Sequence, residues 1–261
     1  MEAVQEMYER AADSYAALRA GLLVHGSGPL LDRLPLREAR VVVDAGTGTG
    51  GLLPLLRAKA PDATLVGLDL TAAMLAHANG NGAQLVRADL AHPPLRPGSV
   101  DVLVSAFVLF HLADPRSAVR ELAAALRPGG AFAAATWTKD QPWAAKAVFS
   151  AELDAAGAPA VPSSRVGAEF TETPEALAAL AESAGLRVLD TEVAPLGAPP
   201  IEAGDLVGEW TSIGSTGARF ARLDDAAQRR VIAGATEKIA ALPQEARLDP
   251  HVAIRLWATK S

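Results

Sequence analysis

The stretch VVVDAGTGTGGL, Val41 to Leu52, constrains this chain more than any other. A short β-branched run ends in an acid and a glycine, as a buried parallel strand does. Gly46, Gly48 and Gly51 then fit the spacing G-x-G-x-x-G, after a strand and before a helix. Glycines there let the turn close tightly and let the backbone approach a nucleoside-bearing ligand. An α/β protein follows, with a binding loop at the carboxyl end of its first strand.

The rest of the chain repeats the alternation. GLLPLLRAKAP reads as a helix with Pro54 in its first turn, TLVGLDL as a strand, and TAAMLAHAN as a helix with Thr71 as its N-cap. AQLVRADL, SVDVLVSAF and GAFAAATW read as further strands. DPRSAVRELAAALRPGG reads as a helix stopped by Pro-Gly-Gly. Strands alternating with helices imply a parallel sheet with right-handed crossovers. Later, WAAKAVFSAELDAAG and TPEALAALAESAG read as helices, the second capped by Thr173, and LRVLDTEV and HVAIRLWATKS as two late strands. The domain expectation is an N-terminal helical lid over residues 1–34 and a sheet domain over 35–261. Helical inserts fall at about 138–172 and 201–247. Gly26-Ser27-Gly28-Pro29 should break the N-terminal helices and leave His25 beside a hinge.

Composition narrows the function. A net charge of −6 argues against nucleic acid as the partner, because phosphate binding needs concentrated Lys and Arg. With no cysteine, disulfides, thiolate chemistry and Cys-ligated zinc are excluded. The start lacks the basic-then-apolar pattern of a signal peptide, and the longest apolar stretch, Val102 to Ala113, is too short to span a membrane. His77, His92 and His251 are scattered, and no metal-ligand spacing is present. The expectation is a cytoplasmic protein, monomer or homodimer, with a small-molecule substrate and neither membrane nor metal.

A loop of this kind suits a nicotinamide or flavin dinucleotide, or S-adenosylmethionine. Asp44 separates them. A carboxylate beside the loop repels a pyrophosphate but suits the ammonium and sulfonium of S-adenosylmethionine. The same carboxylate also has the option of capping the next turn. Asp69 closes the second strand, where an acid accepts from ribose hydroxyls. Asp89 stands at the end of the third strand, placed for an adenine amino group, with Leu70, Met74 and Leu90 as apolar walls. It also fits an ordinary turn.

VVVDAGTGTG, LVGLDLTAAML, VRADL, SVDVLVSAFVLFHLADP and LRPGGAFAAATW, in that order, resemble the motif series of class I S-adenosylmethionine-dependent methyltransferases, in the small-molecule branch that includes the ubiquinone and menaquinone enzymes. The resemblance covers roughly Val41 to Trp137. It implies a Rossmann-like seven-stranded sheet of order 3-2-1-4-5-7-6, the last strand antiparallel. It also implies cofactor contacts from Asp44, Gly46, Gly48, Gly50, Asp69, Leu70, Asp89, Leu90 and Ser105. Thr47, in the loop, and Met74 complete the expected set.

The family places the segment after the fourth strand beside the reactive methyl group. Here that segment runs Ser105-Ala-Phe-Val-Leu-Phe-His-Leu. Many relatives have two adjacent histidines near its end; this chain has Phe110 and then His111, so His111 is the expected base or orienting group. YERAADSY resembles the family's lid helix. Its Tyr8 and Tyr15 lie two helical turns apart on one face, with Tyr15 a candidate for catalysis and for cofactor contact and Tyr8 for the substrate. Phe107 and Trp137 are the expected walls of the acceptor pocket. Trp143, Phe149, Trp210 and Phe220 serve as pocket or as core. Arg219, Arg222, Arg229 and Arg230 read as a solvated helix face.

The expected activity is methyl transfer to a small molecule, at oxygen ahead of nitrogen or carbon, in specialised metabolism. Two alternatives use the same loop: an enzyme that keeps the cofactor for a non-methylating step, and an NAD-dependent oxidoreductase. A sensor of S-adenosylmethionine is a third.

Overall fold

The computed structural model describes residues 2–78, 80–139, 142–195 and 201–261. Asn79, at the end of the expected second βα helix, lies outside them. Seven strands form one sheet: β1 (Val41–Ala45), β2 (Thr64–Asp69), β3 (Gln84–Arg87), β4 (Val100–Ala106), β5 (Leu126–Trp137), β6 (Leu186–Pro195) and β7 (Val252–Lys260). Their order is β3-β2-β1-β4-β5-β7-β6, as the resemblance implied. β7 is antiparallel to both of its neighbours. Its first residues therefore stand at the carboxyl edge, where β1 to β5 end; Ala253 pairs with Trp137.

The sheet is buried on both faces because successive side chains point to opposite sides. Val43, Leu103 and Phe132 pack with α5 (Pro115–Ala125) and α7 (Pro174–Ser183). Val42, Val102 and Ala133 pack with Leu30 and Leu31 and with Leu53 and Leu56 of α3 (Leu53–Lys59). Pro54 lies in the first turn of α3, where its missing N–H costs nothing. Thr173 caps α7 by accepting from Ala176 N at 3.1 Å.

The N-terminus departs from expectation. Helical structure runs unbroken from α1 (Glu2–Ser14), through a π-helical turn at Tyr15–Arg19, to α2 (Ala20–Asp32). Gly26 to Pro29 lie inside α2, so no hinge stands beside His25. Tertiary bonds outweigh the breaker. Arg255 donates to Gly26 O at 3.1 and 3.0 Å, and Trp257 Nε1 to Leu30 O at 2.9 Å. Buried Leu30 and Leu31 add to the hold.

Two smaller corrections have similar causes. Thr71 precedes α4 (Ala72–His77), but its side chain makes no capping bond. Glu9 of α1 does so instead, accepting from Ala72 N and Ala73 N at 3.1 Å each. α5 ends at Ala125, ahead of Pro-Gly-Gly, because Leu126 already turns extended to pair with Val100.

A third core lies off the sheet. α6 (Ala144–Ala155), α8 (Ala203–Ser212), α9 (Gly214–Phe220) and α10 (Asp225–Ala240) bury Trp143, Phe149, Trp210 and Phe220 among themselves. These helices form a cap over the carboxyl edge, and α1 lies against both α4 and α8. Among the described residues no helix is long and apolar enough to cross a membrane, and no three His, Asp or Glu group to hold a metal ion.

Candidate functional site

The site begins with backbone. Gly46, Gly48 and Gly50 all have positive φ, at 84°, 54° and 74°, a conformation that costs other residues dearly. Gly46 N and Thr47 N both donate to Leu68 O at 2.8 Å, folding the loop over the end of β2. A Cβ on Gly46 would stand 2.5 Å from the Val108 side chain, so the loop lies flush against the segment after β4.

Two acids then fix the loop. Asp69 accepts from Gly48 N at 2.9 Å and Thr71 N at 2.8 Å. A carboxylate has about four acceptor positions, so it keeps capacity for further donors. Burial pushes its carboxyl up from the ordinary value. Asp44 is 2% exposed and accepts from Thr47 Oγ1 at 2.7 Å, so it does cap the next turn. Burial raises it to about 7, helped by Asp69 and opposed by the Thr47 bond. Such a carboxyl is poised to ionise when a cation arrives. Asp89 accepts from Ala91 N at 2.9 Å, a turn bond that also holds it in place.

Two connected clefts lie over these groups. One is lined by Gly46, Gly48, Asp69, Leu70, Met74 and Asp89, with Tyr8, Tyr15, Phe107 and His111 at its far end. The other holds Asp44, Gly46, Thr47 and Gly48 against Tyr15 and Phe107. No Lys or Arg among the described residues lines either. Leu90, Ser105 and Gly50 stand outside these linings. Leu90 is packed in the core beneath, and Ser105 is fully buried, donating to Ala45 O at 3.1 Å and so tying β4 to β1. Gly50 shapes the turn against Ala78.

A third cleft opens beneath the cap, lined by Trp137, Lys146, Ser164, Arg165, Glu209, Trp210 and His251, together with Tyr8, Tyr15, Phe107 and His111. Phe107 forms the wall between. Its φ of 59° is strained for an aromatic residue, and its ring lies 4.2 Å from that of Trp137. The π-helical turn brings Tyr15 to the place where all three clefts meet.

Tyr8 and His111, 103 residues apart, are joined by a 2.8 Å bond from the phenol oxygen to Nε2. Nδ1 lies 2.7 Å from Ser164 O. A carbonyl only accepts, so Nδ1 carries the hydrogen and Nε2 receives the Tyr8 hydroxyl. Burial, with Arg165 nearby, pushes His111 down to about 4, against the pull of the Ser164 bond. The ring is therefore neutral at pH 7, with both nitrogens engaged.

Sequence reasoning passed over Lys146, Ser164, Arg165 and Glu209, and set His251 aside as one of the scattered histidines. Only His251 left a usable signal: an antiparallel last strand brings the residue before it to the carboxyl edge. Of the arginines assigned to a solvated face, Arg219 is instead mostly covered. It binds Asp154 and donates to Ala158 O at 3.0 Å, while Arg222, Arg229 and Arg230 are exposed.

The donor set fits S-adenosylmethionine. It offers three acids, Asp44, Asp69 and Asp89, a glycine-rich loop and, among the described residues, no Lys or Arg to meet a pyrophosphate. Comparison with known proteins agrees. Residues 43–134 match the methyltransferase domain family. Trans-aconitate 2-methyltransferase of Paracidovorax citrulli is 39% identical over 40% of this chain and 41% of its own length. Malonyl-[acyl-carrier protein] O-methyltransferase of a Marinomonas species is 35% identical over 45% of this chain and 44% of its own. The chain thus matches less than half the length of either relative. In fold, a chain from the complex of the Haloferax volcanii Trm112 methyltransferase activator with a methyltransferase superposes with TM-score 0.62. It covers 98% of this chain and 97% of that one, at 21% identity. Residues 43–134 accordingly match a methyltransferase domain, in a chain whose fold is shared by a chain of that methyltransferase complex.

Proposed function

We propose that this chain transfers the methyl group of S-adenosylmethionine to a small-molecule acceptor held beneath the helical cap. Oxygen is the atom methylated and specialised metabolism the setting. The observation that carries this reading is the junction of clefts: Tyr8, Tyr15, Phe107 and His111 line both the glycine-loop cleft and the cleft under the cap. Both curated relatives are named as methyltransferases, one of them of trans-aconitate.

When bound, the cofactor supplies a methyl group on a positively charged sulfur, already activated for displacement. The protein's share is to bind, orient and exclude water. Asp69 and Asp89 would take the ribose and adenine, Leu70 and Met74 the adenine faces, and Asp44 the ammonium group. His111 holds the Tyr8 proton and so fixes the phenol at the junction of the clefts. That arrangement suits His111 as an orienting group, since a ring held down to about 4 is a weak base. Of residues 1–34, α1 acts as the lid, since α2 is bonded to β7 and packed in the sheet core. Opening it would break the Tyr8–His111 bond and free α4 from Glu9.

Calorimetric titration with S-adenosylhomocysteine, with NADH as control, tests the cofactor. Labelled methyl transfer to a panel of small acceptors tests the reaction. Binding of NADH alone would overturn the reading in favour of an oxidoreductase. Tight S-adenosylhomocysteine binding with consumption of an acceptor but no methylated product would favour a non-methylating enzyme.

A further inference from the structure

The cap cleft contains a second histidine whose setting differs from that of His111. His251 Nδ1 is hydrogen-bonded to Asp249 Oδ1, which also accepts from His251 N at 2.8 Å. The Asp249 side chain is 1% exposed and that of His251 is 16%. The ring stands 5.1 Å from Trp137 and 5.7 Å from Trp143. The carboxylate accepts, so Nδ1 carries the hydrogen, and the lone pair of the neutral ring resides on Nε2. Among the described residues Nε2 has no hydrogen-bond partner, and the ring lines the cleft.

Resting on the methyl-transfer reading, we propose that His251, oriented by Asp249, is the general base for the acceptor, and that the acceptor is therefore an aromatic hydroxyl. A carboxylate acceptor is already ionised at neutral pH, and an aromatic amine, unprotonated there, carries its own lone pair. Neither needs a base to expose a nucleophile. A hydroxyl does. A buried carboxylate behind the ring stabilises the imidazolium as it forms, and it fixes which nitrogen meets the substrate. Phe107, Trp137 and Trp210 supply flat apolar walls for an aromatic ring. In the step, the acceptor's O–H bond breaks and its proton goes to Nε2. The oxygen's electron pair forms the new bond to the methyl carbon, whose bond to sulfur breaks with its pair left on sulfur. Charge balances, because the positive charge leaves sulfur as the ring gains a proton. His111 cannot serve equally, since its Nε2 is taken by Tyr8.

The test measures methyl transfer to phenol, catechol, 1-naphthol and 4-nitrophenol, with benzoate and phenylacetate as carboxylate controls. Methyl ethers are expected from the wild-type protein. His251→Gln should lower kcat for phenol by about 100-fold or more, the scale of general-base catalysis, with KM nearly unchanged. Towards 4-nitrophenol, largely ionised at pH 8 and above, the loss measured there should shrink to a few-fold. Asp249→Asn should lower kcat less and move the acid limb of its pH profile, read against Tyr8, His111, Lys146, Arg165 and Glu209, which line the same cleft. Nitrogen NMR of the S-adenosylhomocysteine complex should show the Nδ1–H form of His251 in the wild type and lose it in Asp249→Asn. Equal loss on phenol and 4-nitrophenol, esters alone, or no ether from any hydroxyl while S-adenosylhomocysteine still binds would overturn the proposal. Absence of that binding would instead overturn the reading beneath it.

Discussion

The two halves of the site are made differently. The glycine-loop clefts take their acids and glycines from one stretch of the chain, between Asp44 and Asp89. They carry three acids, and among the described residues no Lys or Arg lines them. The cap cleft takes side chains from scattered segments: Tyr8, His111, Lys146, Arg165, Glu209 and His251. It mixes both signs of charge with aromatic walls. The first half answers to a ligand whose chemistry is fixed. The second is where one acceptor can be exchanged for another by changing loops and cap helices. If the contrast holds, damage to the first half should abolish binding, while damage to the second should change turnover and leave binding intact.

The largest effect is expected from Gly46→Ala. The new Cβ would meet Val108 at 2.5 Å on a residue held at positive φ. A stability loss of about 1–3 kcal/mol is expected in urea unfolding, with loss of S-adenosylhomocysteine affinity. Asp69→Ala should come next, weakening that affinity by about 1–3 kcal/mol by calorimetry. Asp89→Ala should fall at the lower end of the same range, because Asp69 also anchors Gly48 and Thr71. If the order reverses, the adenine contact matters more than the loop's own anchoring.

Across the divide, Tyr8→Phe removes the bond to His111. Turnover should fall about fivefold, the scale of one hydrogen bond, with S-adenosylhomocysteine affinity unchanged. His111→Ala should lower turnover further, because the Tyr8 proton then has no fixed partner. An equal loss of affinity in both variants would erase the contrast between the halves.

The smallest effect is a proton count. Asp44 is raised from 3.8 to about 7, so the unliganded protein carries part of a proton there at neutral pH. An ammonium group favours the ionised form, so S-adenosylhomocysteine should release protons on binding at pH 6 to 7. Calorimetry in buffers of different ionisation enthalpy reads this, and Asp44→Asn should abolish it. The same group sets a pH trend in stability. Below the unfolded value its burial carries no charge penalty, and that stability is lost as pH rises through about 7. His111 acts in the opposite sense. Its folded value of about 4 lies below the ordinary 6.5, so the unfolded chain binds the extra proton and stability falls as pH drops through that window. Asp44→Asn should therefore make the rise of stability with pH steeper between about 4 and 7, and His111→Gln should flatten it.

Much of the fold was legible because its signals are local. A β-branched run before glycines marks a parallel strand, and the acids at the ends of β1 and β2 follow from the same periodicity. The failures share one cause. Gly26 to Pro29 predict a break, but Arg255 and Trp257, more than 220 residues away, hold the helix closed. Thr71 is a credible cap, but Glu9 reaches the helix first. Local propensity is worth about 1 kcal/mol or less at most positions, and a few buried tertiary bonds outweigh it.

The sequence alone determined the strand order, through the family resemblance, and the identity of the cofactor loop, because those rest on glycine conformations and strand ends encoded within about 50 residues. Tertiary structure alone decided which side chains meet the acceptor. Tyr8 reaches His111 only because α1 packs across the carboxyl edge. His251 reaches the same cleft only because β7 runs against its neighbours. The physical reason is that side-chain chemistry needs contacts of about 3 Å between residues far apart in the chain. Such contacts leave no periodic trace in the order of residues.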